Sequence, residues 1–140
     1  MDLGTFGAVL KYAIQLENSA LKVYERVLNL IDNERMKIFF IDFSKQNVKR
    51  IDTLKRLRSE NTTEMILEPI YGLESDNYSF IKDEFEATSD FKEIIIKVEN
   101  TLNCFYHDAA EKIDFLSEVA YKFEDFAEQN LENINLIQKI

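Results

Sequence analysis

One cysteine in 140 residues, Cys104, excludes an internal disulfide and suits a reducing compartment. One proline and three glycines leave few places where the chain must break, which favours long uninterrupted helices. A single histidine, His107, leaves little room for triad chemistry, and there is no Gly-rich phosphate loop and no Cys-x-x-Cys pair. No apolar run approaches the roughly 20 residues of a membrane span. The start Met1-Asp2-Leu3-Gly4 lacks the basic segment of a signal peptide, so a cytoplasmic protein is expected. Basic residues are outnumbered, 17 against 26 acidic ones, for a net charge of −9. Such a chain repels phosphate backbones, and nucleic acid is not expected as a partner.

What is present fits an ordinary globular domain: 46% hydrophobic and 31% charged residues, in a length sufficient for one core. Leu3, Phe6, Leu10, Ala13, Glu17, Ala20, Tyr24, Val27 and Ile31 follow helical steps of three and four, with a glutamate at one apolar place. Asp32 or Asn33 is placed to cap the next helix. A second stripe runs Met36, Phe40, Phe43, Asn47, Arg50, Leu54, Leu57, and polar residues again interrupt it mid-helix. The apolar breadth of Phe39, Phe40 and Ile41 predicts a second covered side on this helix, in a homodimer or another protein contact.

The pattern breaks from about Ser59 to Asp90, where Pro69, Gly72, Ser75, Asp76 and Asn77 lie. Leu67, Ile70, Tyr71, Leu73, Tyr78, Phe80, Ile81 and Phe85 predict a connection packed on the helices and partly helical itself. The third stripe is Ile95, Glu99, Leu102, Tyr106, Ala109, Ile113, Leu116; the fourth is Val119, Phe123, Phe126, Asn130, Asn133, Ile137, Ile140. Helices of about 25 residues would span roughly 35–40 Å. The reading is all-α: one four-helix-bundle domain over 1–140, with helix pairs at 1–60 and 90–140 and a long crossover at 61–89.

The two halves are alike. Phe43, Gln46, Asn47 and Ile51 return as Phe126, Gln129, Asn130 and Ile134, at an offset of 83. Glu17-Asn18-Ser19 with Tyr24 returns as Glu99-Asn100-Thr101 with Tyr106, at an offset of 82. Matches in the same order at nearly one spacing argue for an internal two-fold duplication, since the period is too long for a solenoid.

Glu17, Asn47, Arg50, Glu99, Asn130 and Asn133 all interrupt their seams near mid-helix, so a bundle would bring them into one central layer with Tyr24 and Tyr106 beyond it. Carboxylates in a dry core are costly unless a metal, a cation or protons neutralise them. With these residues in place, the chain resembles the ferritin-like superfamily, and rubrerythrin-type proteins most closely. That family holds two irons with a Glu on helices one and three and Glu-x-x-His on helices two and four. The resemblance implies a ferritin-like fold and sets Glu17 and Glu99 on the retained glutamates. The Glu-x-x-His places here read Asn47-x-x-Arg50 and Asn130-x-x-Asn133, and Leu102 stands where rubrerythrins carry a further glutamate.

These replacements suit iron badly. Asn oxygen is a neutral ligand, and a guanidinium stays protonated and has no lone pair to give. Its charge would oppose a nearby divalent ion by several kcal/mol at an effective dielectric of about 20. The leading expectation is therefore that Arg50 replaces metal as counter-ion to Glu17, Glu99 or both. One glutamate would then hold a proton. No metal or other cofactor is expected, and the chain reads as non-catalytic, a structural or protein-interaction module. The alternative is a rubrerythrin-like metalloprotein with iron-oxidation or peroxide activity, holding iron or another divalent cation on Glu17 and Glu99. Cys104 reads as a small buried hydrophobe, His107 as a surface or interface residue, and Tyr24 and Tyr106 as core tyrosines with bonded hydroxyls. Asp83-Glu84, Glu111 and Glu124-Asp125 read as solvated faces.

Overall fold

A computed structural model of the chain describes residues 2–61, 69–78 and 90–140. Among them are four long helices and no strand: α1 (Phe6–Leu28), α2 (Glu34–Glu60), α3 (Phe91–Lys112) and α4 (Ser117–Gln138), with a 3-10 turn at Ser75–Tyr78. The first three begin at side-chain caps, since the first amides of a helix have no partner within it. The Thr5 hydroxyl accepts from the Ala8 amide. Asn33 Oδ1 accepts from Arg35 and Met36, and Asp90 Oδ1 from Lys92 and Glu93. At α4 the cap position falls to Leu116, which has no such bond.

The four seams face one core. Every apolar residue of the stripes through Ile31, Leu57, Ile113 and Ile137 is buried, while Leu116 and Ile140 at the last two ends are half-buried. Val9, Leu16, Val23, Ile94, Val98 and Phe105 are buried beside those seams, widening the apolar face of α1 and α3. Chain direction follows from which residues meet. Glu17 meets Asn47 and Tyr24 meets Phe40, so α1 and α2 run oppositely. Glu99 meets Asn133 and Tyr106 meets Phe123, so α3 and α4 do too. Glu17 also meets Tyr106, whereas Tyr24 lies near Glu99, which makes α1 and α3 antiparallel. It follows that α2 and α3 point the same way, and no tight turn could join them.

The described part of that connection docks beside the start of α1 and the end of α3. The Ile70 amide donates to Gly4 O and the Leu3 amide to Leu73 O, both at 2.9 Å. Gly72, at φ 80°, takes the left-handed turn between these contacts at no Cβ cost. Tyr12 donates to Ser75 O (2.9 Å) and Tyr78 to Asp108 (2.5 Å), with both rings edge-on to Phe105. Ile70, Leu73 and Tyr78 are buried as expected, but Tyr71 is 73% exposed. It directly follows buried Ile70 outside any helix, so no helical stripe carries it inward. Leu67, Phe80, Ile81, Phe85 and the Asp83-Glu84 pair lie outside the described residues.

Two further expectations are corrected. Phe40 adds nothing to an outer face, being fully buried against Tyr24 and Phe91; Phe39 is half-buried and Ile41 is exposed. Cys104 is exposed, not buried. It stands between the seam positions Leu102 and Tyr106, a full half-turn off the buried stripe, and helical phase outweighs its apolar character.

Asn33 is the cap on which the α1–α2 turn ends, and Asn33→Ala should cost about 1 kcal/mol. Urea unfolding would measure this, with Asn33→Asp as the variant that keeps most of the stability.

Candidate functional site

All six polar residues expected in the central layer are buried: Glu17, Asn47, Arg50, Glu99, Asn130 and Asn133. Glu17 is held by three neighbours. Its Oε1 accepts from Arg50 Nη1 (3.2 Å) and from the Tyr106 hydroxyl (2.7 Å), and its Oε2 from Asn47 Nδ2 (2.7 Å). One carboxylate on α1 is thus tied to α2 and α3 together. Glu99, on α3, accepts from two asparagines of α4: Asn133 Nδ2 at 3.1 Å on Oε1, and Asn130 Nδ2 on Oε2.

Arg50 joins the two halves. Its Nη1 also donates to Asn130 Oδ1 (3.1 Å), and its Nη2 donates to the Phe126 carbonyl (2.9 Å) and Gln129 Oε1 (3.3 Å). The guanidinium carbon lies 4.8 Å from the Phe126 ring centroid and 5.6 Å from that of Tyr106, a cation–π position on both. Asn130 is therefore oriented by its neighbours, giving its oxygen to Arg50 and its amide protons to Glu99. Asn133 Nδ2 donates a second bond, to Gln46 Oε1 at 2.6 Å.

Among the described residues, three buried polar atoms lack a well-formed hydrogen bond: the Tyr24 hydroxyl, Asn47 Oδ1 and Arg50 Nε. Each costs on the order of 1–3 kcal/mol if left so. The hydroxyl of Tyr106 is bonded as expected, to Glu17, and that of Tyr24 is directed at Glu99. The Tyr24 hydroxyl still feels Glu99: burial first and that carboxylate second hold its pKa well above the ordinary value. Tyr106 is raised in the same way, by burial and then by Glu17. Both hydroxyls keep their protons.

The charges of the layer nearly cancel. Burial works against the Arg50 charge, but Glu17, Tyr106 and Glu99 outweigh it and raise the pKa further. Glu99 is pushed up to about 7, first by burial, with Glu17 adding to it and Arg50 and the two asparagines opposing. Near neutral pH the layer holds one guanidinium, the Glu17 carboxylate beside it, and a second carboxyl poised between its two forms.

This donor set does not suit a pair of irons. Asparagine amides, not oxygens, face the carboxylates, and Arg50, Tyr106 and Asn47 together take up lone pairs of Glu17 that a metal would need. Among the described residues no three His, Cys, Asp or Glu side chains converge as a ligand set would. His107 is exposed at the surface, with Nε2 3.5 Å from Glu111 and Nδ1 3.4 Å from Glu124, well apart from the layer. Gln46, Gln129 and the Phe126 carbonyl are members of the network that seam reading missed. A signal for the glutamines existed, because they match each other in the repeat. Comparison with protein-family models finds no match to this chain, and neither the curated proteins nor the solved structures supply one.

Two outcomes follow from the charges. Between about pH 4.5 and 7 the native chain keeps a Glu99 proton that the unfolded chain has lost, so stability should fall as pH rises through that window, by roughly 3 kcal/mol. Glu99→Gln should flatten this slope relative to the unmodified chain in urea unfolding; equal slopes would place the proton elsewhere. Arg50→Ala strands the Glu17 carboxylate in the core and should destabilise the protein by about 3–5 kcal/mol, and an unchanged melting temperature would refute the pairing.

Proposed function

We propose that this chain is a ferritin-like bundle of rubrerythrin type in which an ion-pair network has taken the place of a dinuclear metal centre. It is a non-catalytic structural or protein-interaction module. The observation that carries this reading is Arg50, buried between helices with Nη1 shared by Glu17 and Asn130. In the family it resembles, that position belongs to a metal ligand; here it carries a permanent positive charge.

The internal duplication and the long crossover belong to the same reading. Asn47 serves Glu17 as Asn130 serves Glu99. Tyr106 acts on Glu17 from across the bundle as Tyr24 acts toward Glu99. The asymmetry lies at one pair of positions: Arg50 in the first half and Asn133 in the second. A single guanidinium is what two carboxylates need when one of them is protonated, since a second would leave an uncompensated buried charge. The shared direction of α2 and α3 supports a crossover of the ferritin-like kind.

The reading includes a homodimer. Ile38, Ile41 and Val48 are exposed on α2, at 58%, 39% and 47%. Ile41 and Val48 line a groove together with Leu21 and Leu28 of α1, with Glu25, Ser44 and Lys45 as its polar members. A monomeric mass in sedimentation equilibrium would remove the dimer from the proposal.

Metal content is the decisive measurement. Protein from iron-rich medium should carry no stoichiometric iron, and near two irons per chain would overturn the reading. The combined replacements Asn47→Glu, Arg50→His, Asn130→Glu and Asn133→His should restore the family's ligand pattern and gain iron, seen as an oxo-bridged ferric band after aerobic loading.

A further inference from the structure

We infer that the cavity between α2 and α4 binds a small phosphate-bearing molecule. The cavity has a volume of about 170 Å³ and is lined by Gln46, Lys49, Arg50 and Thr53 of α2 and by Lys122, Phe126 and Gln129 of α4. At about 30 Å³ per water, that is room for roughly five or six waters, which suits phosphate with a small organic group attached. It adjoins the network of the central layer, sharing Arg50, but does not depend on what became of a metal site.

The chain as a whole is −9, with 26 acidic residues against 17 basic ones, yet the lining contains three cations and no acid. Neither Lys49 nor Lys122 forms an ion pair with a described residue. Lys122 is nonetheless placed, its Nζ 5.6 Å from the Phe126 ring centroid in the cavity wall. The nearby Asp125 is not in the lining and accepts from Gln129 Nε2.

The sense of the hydrogen bonds agrees with the charge. The side-chain amide oxygens of the lining are already engaged, Gln46 Oε1 by Asn133 and Gln129 Oε1 by Arg50, and the Thr53 hydroxyl gives its proton to the Lys49 carbonyl. Donors are what remain, namely the two ammonium groups, the Gln46 amide and Arg50 Nε, the last buried without a partner among the described residues. A cavity in which both amide oxygens are engaged while two ammonium groups, an amide and a guanidinium N–H are not favours an anion.

Planar carboxylates are best read by the paired terminal nitrogens of arginine. Both terminal nitrogens of Arg50 are committed to Glu17, Asn130, Phe126 and Gln129. Compact ammonium charges on two facing helices are left, and these fit the several oxygens of a tetrahedral phosphate.

Isothermal titration of the full chain with inorganic phosphate, in phosphate-free buffer at constant ionic strength, tests the site. Saturable binding at one site per chain is expected, with acetate giving none. Lys49→Gln with Lys122→Gln should weaken phosphate by about tenfold or more per lysine. Lys45→Gln, an exposed lysine outside the lining, should leave it unchanged. If the glutamine pair does not fold, Lys49→Arg with Lys122→Arg must keep binding and Lys49→Gln alone must weaken it. Absence of saturation, equal heats with acetate, or an affinity unmoved by the lysine replacements would overturn the proposal.

Discussion

The Glu17–Arg50 contact, 3.2 Å long and closed to solvent, is what the remaining structure must accommodate. Neither member could be buried alone, because an uncompensated charge in an apolar core costs several kcal/mol. Through Tyr106, Asn47, Asn130, Gln129 and the Phe126 carbonyl, the pair reaches all four helices. A buried ion pair adds little net stability over apolar packing, but it does restrict alternatives. Sliding any helix by one turn, about 5.4 Å, would break several of these bonds together. Apolar seams alone tolerate such slippage better, so the polar layer sets the register of the bundle.

The charge balance also explains the choice of amides. Asparagines at 47, 130 and 133 donate to carboxylates without bringing further charge into the core. Carboxylates in those places would add negative charge that one guanidinium could not offset. The layer works as a nearly neutral network because Glu99 retains much of its proton near neutrality, burial having raised it to about 7.

Much of the arrangement was legible in residue order. Steps of three and four through Glu17, Asn47, Arg50, Glu99, Asn130 and Asn133 placed these groups on buried stripes, and all six are buried. Residue type was the poorer guide wherever it conflicted with phase. Cys104 is apolar in character and yet exposed, half a turn from the seam. Phe40 sits beside Phe39 and Ile41 but faces inward, because neighbours in a helix point in different directions. Tyr71, outside the helices, is exposed as well.

Sequence by itself determined the four helices, their inward faces and the polar character of the layer, for these depend on local spacing and on which side chains water will not release. Tertiary structure decided the partnerships. Arg50 pairs with Glu17 and not Glu99, Gln46 joins Asn133 across the bundle, and donors of α2 and α4 meet around one cavity. These depend on distances between residues 30 to 89 positions apart. Such distances exist only once the helices have packed.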